Sequence, residues 1–376
     1  MRSQDTKGAQ LALVVGHTAG MMDIVALPLW IGALIAGYGY SPAAAGGLAT
    51  LFLGGVVISS VLLSPVFHRL PGRWMPTAGF LISAAALFVV QTLESYVGFA
   101  IGHAIAGLAT GIAISFVHGT MARTMNPHRV FAMGGLTLGL FAVVFLYTAP
   151  TLVARNGPSA LFLILSLVMA VGALVTAALF PKGAENEDIV SDKAKFSPAV
   201  WYAIIGIMCM ALVHAMMFSF VERIGADRGY ALGMIQRALV IAGIIAVTPS
   251  ICAAYLETKI SPIHVALAGA FLQAIFAITV SWSNTYAAYL AGTIALPFIM
   301  LFTHTFVFGY LARIEPTGRA NAATPAMNMT GSATGPLLGG ILVQTSGYHA
   351  LGFAAVILGT LAMMCYLASH KRVVHQ

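Results

Sequence analysis

"PKGAENEDIVSDKAKFSP", residues 181–198, is the longest polar stretch of this chain and falls almost at the midpoint of its 376 residues. Six long apolar runs precede it and six follow, the first over 9–37 and the last over 347–369. Each run reaches about 20 residues or more, the length an α-helix needs to cross the hydrocarbon of a bilayer. The runs are continuous rather than alternating, which favours helices over the strands of a barrel. The expected fold is an all-α membrane protein of twelve transmembrane helices. They form two pseudo-symmetric six-helix bundles, 1–180 and 198–376, joined by a cytoplasmic linker at 181–197.

Composition points the same way. The chain is 59% hydrophobic and 8% charged, against about 25% charged in a soluble domain. One aqueous core cannot hide that much apolar surface. The net charge of +7 reads as basic cytoplasmic loops rather than a nucleic-acid surface. With the N-terminus inside, only Arg155, Arg223, Arg228 and Arg237 of the 18 Lys and Arg fall on the outer side. That asymmetry puts both termini in the cytoplasm, and the short loops fit a bacterial inner membrane. The polar start leads into a run too long for a signal-peptide core, so it is expected to remain as the first span. Cys209, Cys252 and Cys365 lie in apolar runs and form no CxxC pattern.

The two halves repeat at a shift of 190 residues without a gap. "GTMARTMNPHR" (119–129) aligns with "GYLARIEPTGR" (309–319), Gly102 with Gly292, Tyr96 with Tyr286, and Gly39-Tyr40 with Gly229-Tyr230. Parallel six-span repeats of this kind belong to transporters that rock about a central site.

Three motifs make the chain resemble the major facilitator superfamily over essentially its whole length. "GSATGPLLGG" (331–340) reads G-x-x-x-G-P-x-x-G-G in span 11. Gly331, Gly335 and Gly339 allow close helix approach there, and Pro336 loosens a moving interface. "SPVFHRLPGR" (64–73) resembles the family's G-x-x-x-D-R-x-G-R-R between spans 2 and 3, with Arg69 and Arg73 kept, His68 in the place of the acid and Pro71 in that of the glycine. "HAIAG" sets His103 and Gly107 where many members carry R-x-x-x-G in span 4. The resemblance implies a monomeric transporter whose spans 1, 4, 7 and 10 line a central cavity. Arg69 and Arg73 then act in gating, and His103 is a candidate for proton coupling.

"GHTAGMMDIV" (16–25) carries the most costly group. Asp23 is the one acid between Asp5 and Glu94 and stands near the middle of the first run. A carboxylate at that depth costs ~3 kcal/mol or more unless it is protonated, paired or wetted. A role in proton transfer or substrate binding is therefore expected of it. His17 and Met21 in span 1, Met210 and His214 in span 7, and Met300 and His304 in span 10 each share a helix face at a spacing of four. At ~1.5 Å per residue, Asp23, Met21, Met210 and Met300 fall in one midplane layer, while the histidines scatter above and below. "FVERIGADRGY" (220–230) offers Glu222, Arg223, Asp227 and Arg228 as an outer gate or a solvated cap, and Arg237 is placed to snorkel or to meet Glu222. Trp30, Tyr38, Tyr40, Trp201 and Tyr202 read as interfacial anchors.

The leading expectation is a secondary active transporter of a small organic solute, driven by protons. The alternative is a transition-metal importer, with copper first, because thioethers with imidazoles suit a soft ion. No resident metal or cofactor is expected. Neither a G-x-x-x-x-G-K-[ST] nucleotide loop nor an H-E-x-x-H metalloprotease motif occurs, so an enzyme is not expected. The partners expected are the solute, protons and the lipid bilayer.

Overall fold

A computed structural model describes residues 5–63, 72–181, 196–315 and 319–374. Among the described residues every regular element is a helix, as the bilayer demands, because only helices and closed barrels satisfy their backbone polar groups in lipid. The first span is α1 (Lys7–Gly20), α2 (Met22–Gly32) and a π-helical turn over Ala33–Gly37. Then follow α3 (Pro42–Leu63), α4 (Met75–Val90), α5 (Tyr96–Met121), α6 (Pro127–Asn156) and α7 (Ser159–Leu179). The second half holds α8 (Pro198–Asp227), α9 (Leu232–Ile245), α10 (Thr248–Leu256), α11 (Pro262–Trp282), α12 (Tyr286–Ile314), α13 (Arg319–Ser346) and α14 (His349–Val374). Nine helical stretches among the described residues are long and apolar enough to cross a membrane. The expected linker lies mostly, and Arg69 wholly, outside the described residues.

Local signals set the helix ends. Thr6 caps α1 by accepting from the Ala9 N–H at 3.2 Å, and Ser95 caps α5 through Gly98 at 3.1 Å. Asn126 caps α6 through Arg129 at 3.0 Å, with Pro127 in the first turn. Such caps satisfy N–H groups that a helix leaves open.

The chain divides into two compact units, Met1–Gly39 with Leu48–Ser191 and Tyr40–Gly47 with Asp192–Gln376. The start of α3 groups with the second unit for a steric reason. Gly46 lies against the Pro336 carbonyl, Gly340 lies against the Pro42 carbonyl, and the Ala43 N–H donates to Gln344 Oε1 at 3.2 Å.

Within each unit the same packing recurs at the 190-residue shift. The four glycines of positive φ are two such pairs, Gly39 (70°) with Gly229 (76°) and Gly157 (86°) with Gly347 (73°). Gly102 abuts the Val90 side chain between α4 and α5, and Gly292 abuts Val280 between α11 and α12. Buried rings, among them Phe52, Phe99 and Phe162 in the first unit and Phe220, Tyr289 and Tyr366 in the second, fill the cores. Outward faces are apolar too, with Leu174 at 70% and Ile357 at 69% exposure, which suits lipid rather than water.

The glycine stripe of α13 packs on α8. A Cβ at Gly331 would strike the Met208 carbonyl, one at Gly335 would come 2.7 Å from the Met216 nitrogen, and one at Gly339 2.9 Å from the Phe220 ring. Gly331→Ala is expected to lower stability by about 1–3 kcal/mol through this overpacking. Gly135→Ala, where a Cβ meets nothing, is expected to stay within about 0.5 kcal/mol of the parent. Melting curves in detergent compare the two.

Candidate functional site

The first span is broken at Met21, between His17 and Asp23. Met21 leaves helical geometry at φ −112° and ψ 11° while its N–H still reaches the His17 carbonyl at 3.0 Å. α2 then restarts with no side-chain cap, and Asp23 stands in its first turn. Asp23 is 3% exposed. The N-terminus of α2 places partial positive charge beside it, which favours an anion there. No cation pairs with Asp23 among the described residues. Gly16 and Gly20 let α1 settle on Val117 and Ile114 of α5, so the break is braced from one side.

His17 Nδ1 lies 2.9 Å from Nε2 of His118 on α5. His118 was not singled out from the sequence; its signal there is a lone imidazole in the last turn of an apolar run. Met21 is half-buried beside the break.

His103 is wholly buried and wholly used. Its Nδ1 is 2.7 Å from the Phe99 carbonyl, and its Nε2 accepts from Trp30 Nε1 at 3.0 Å. The two bonds select one neutral tautomer, and Phe99 and Phe162 enclose the ring at centroid distances of 5.9 and 5.6 Å. The reading of Trp30 as an interfacial anchor is corrected by this geometry: the indole is 1% exposed because His103 takes its N–H in the core. Tyr38 likewise packs on Phe99, at 4.7 Å between ring centres.

In the second unit Met210 and Met300 belong to one apolar cluster, at 0% and 6% exposure. The Met210 sulfur accepts from the Tyr366 hydroxyl at 3.5 Å, and its carbonyl accepts from Gln273 Nε2 at 3.0 Å. Those contacts are packing contacts. His214 stacks on Phe218 at 5.4 Å with Nδ1 unpartnered, and His304 lies 3.9 Å from Phe308 with Nε2 unpartnered. Glu222 Oε2 is likewise buried without a hydrogen bond. Among the described residues no three His, Cys, Asp or Glu side chains converge as metal ligands.

At the end of α8, Arg223 pairs with Asp227 at 2.5 Å, and the Tyr348 hydroxyl donates to the same carboxylate at 2.5 Å. Burial, and then Asp227 beside it, push the Tyr348 phenol upward in pKa. Arg228 Nη2 donates to the Ser281 carbonyl at 3.0 Å. Arg237 is exposed on α9 and forms no ion pair with Glu222 among the described residues. The Arg73 guanidinium lies 5.1 Å from the centre of the Trp74 ring.

Duplicated helical units, apolar outer faces and a carboxyl held at a helix break describe a polytopic membrane transporter. The sequence matches the Major Facilitator Superfamily over residues 12–317, and the chain belongs to that family. Among solved structures, a mutant of the nucleoside transporter NupG aligns over 97% of this chain and 99% of its own, with a TM-score of 0.75 and 12% identity. That is a likeness of fold alone. No curated protein matches the sequence.

Trp30→Phe deletes one donor and strands His103 Nε2 in the core. A loss of about 1–3 kcal/mol is expected, as for an unmade buried hydrogen bond. Trp201→Phe, at a side chain 46% exposed, is expected to change stability by about 0.5 kcal/mol or less. Thermal melts of the two variants check the difference.

Proposed function

We propose that this protein is a secondary active transporter that moves a small organic solute by alternating access, with protons as the driving ion and Asp23 as the group that carries them. The observation behind this reading is the Asp23 carboxyl, 3% exposed and seated in the first turn after a break in span 1. An apolar interior favours the neutral form of any carboxyl, whereas the positive end of the α2 dipole favours an anion. Both protonation states therefore have a source of support at one position. A proton taken from one side of the membrane and released to the other then drives the solute.

His214 and His304 supply the polar contacts to the solute, through ring nitrogens that no protein group occupies. Met21, with its adaptable thioether, forms part of the wall. His103 holds α2 and α5 together and moves no proton, because a second ring proton would displace the Trp30 N–H. Met210 and Met300 act as core, which removes two central thioethers from the copper reading. Gly331, Gly335, Pro336 and Gly339 let α13 move as one piece with α8, and the Arg223–Asp227–Tyr348 group with Glu222 and Arg237 forms the outer rim. Arg69 and Arg73, in the loop between spans 2 and 3, act in gating from the cytoplasmic side. The Lys and Arg asymmetry supports cytoplasmic termini in an inner membrane, and the working unit is a monomer.

A thermal-shift screen on the purified protein tests this reading with nucleosides, sugars, amino acids, carboxylates, cationic drugs and Cu(I), each at two pH values. A true ligand at a hundredfold excess over its Kd stabilises by about 2.7 kcal/mol. The expected hit is organic, pH-dependent in the parent protein and pH-independent in Asp23→Asn. A hit indifferent to both pH and Asp23 contradicts the coupling role. A Cu(I) shift lost in Met21→Leu replaces the organic solute with a metal.

A further inference from the structure

The His17–His118 pair is a second set of buried titratable groups, and the proposed function leaves it unused. His17 is 8% exposed, and the two rings face each other at a centroid distance of 5.0 Å and a tilt of 37°. With 2.9 Å between Nδ1 of His17 and Nε2 of His118, only one of these nitrogens can carry hydrogen. The neutral pair is thus already an N–H···N bridge. The surroundings are shaped to it. A Cβ at Gly134 of α6 would lie 2.8 Å from His17 Cδ2 and 3.4 Å from its Nε2, so the ring occupies the space a side chain would take. Phe131 of α6 covers His118 at 5.6 Å.

Packing does not require imidazoles here. At the 190-residue shift, the second unit carries Ile207 in place of His17 and Phe308 in place of His118. The duplicated scaffold therefore accepts apolar residues at both positions. In the first unit α1 gains a link to α5 at a residue whose carbonyl also receives the Met21 N–H at the helix break.

We propose that His17 and His118 together form a single proton-binding site, an N–H⁺···N bridge that ties α1 to α5 next to the break bearing Asp23. Its role in transport rests on the proton-coupled reading; its proton occupancy does not. One proton converts the neutral bridge into a charge-assisted bond of about twice the strength. A second proton would set two cations face to face, so the rings titrate as one coupled unit. Among the described residues neither ring forms an ion pair. α3, α4 and α7 contribute no titratable residue, and α6 presents Phe131 and Gly134 to the rings. The remaining titratable groups on the surrounding elements are Lys7 on α1, Asp23 on α2, Tyr96 and His103 on α5, and Arg129, Tyr147 and Arg155 on α6; the His128 side chain lies outside the description. Beyond α5, Arg123 Nε donates to the Gly119 carbonyl and Asp5 accepts from the Met125 N–H.

Nitrogen NMR of the full chain with ¹⁵N-labelled histidine rings, reconstituted in lipid and titrated with acid, tests the site. Two rings are expected to show coupling across the hydrogen bond and to shift together for the uptake of one proton. Both signals are expected to vanish in the double variant His17→Ile with His118→Phe, which borrows the second unit's own residues and keeps the fold. In His118→Gln the surviving His17 ring is expected to titrate alone. Two independent single-ring titrations in the parent protein overturn the proposal, as does the absence of any change in either ring over the range where the protein stays folded. The same spectra of Asp23→Asn are expected to keep the paired step. Failure of the site therefore registers in the ring signals, and failure of proton-coupled transport registers separately in the thermal-shift screen.

Discussion

A bilayer offers no water to a peptide group, and the architecture of this protein follows from that constraint. It requires continuous helices, and it makes any interruption conspicuous. Span 1 is interrupted at Met21, where α1 stops and α2 restarts. Asp23 stands in the first turn of the restarted helix, at the positive end of its dipole. That placement favours a buried acid for which no cation partner occurs among the described residues. The glycines of α1 bring that point against α5, and the His17–His118 bridge fastens it there.

Scaffold and chemistry are distributed differently along the chain. The scaffold is duplicated: the paired positive-φ glycines and the Gly102–Val90 and Gly292–Val280 contacts occur once in each unit. The chemistry is not. At the shift that aligns the units, Asp23, His17 and His118 correspond to Val213, Ile207 and Phe308. A repeat preserves what packing needs, and the departures from it are residue types that packing alone does not call for. In the second unit the departures are His214, stacked on Phe218, and His304, tilted against Phe308, each with a nitrogen left open.

Much of this was legible in the sequence because lipid makes the signals long. Apolar runs of membrane length, the 190-residue shift and the glycine stripe of span 11 all come from many residues acting together, and the helical fold and the family followed from them. Asp23 was legible for the opposite reason, as a single acid in an apolar run. What could not be read were pairings between distant spans. Trp30 looked like an interfacial ring because its depth was judged from sequence position, whereas 73 residues of chain separate it from the His103 that holds it in the core. The four-residue spacing of Met210 and His214 is real, but helical spacing does not say which way a face points, and Met210 turned inward to Tyr366.

Infrared difference spectroscopy of the protein in lipid, titrated with acid, addresses Asp23 most directly. If this carboxyl takes up and releases a proton, the C=O stretch of a protonated acid rises and falls reversibly with pH in the parent protein. That band is then absent from Asp23→Asn and retained in Glu222→Gln. A band that survives in Asp23→Asn, or no reversible carboxyl change at all, would contradict the account.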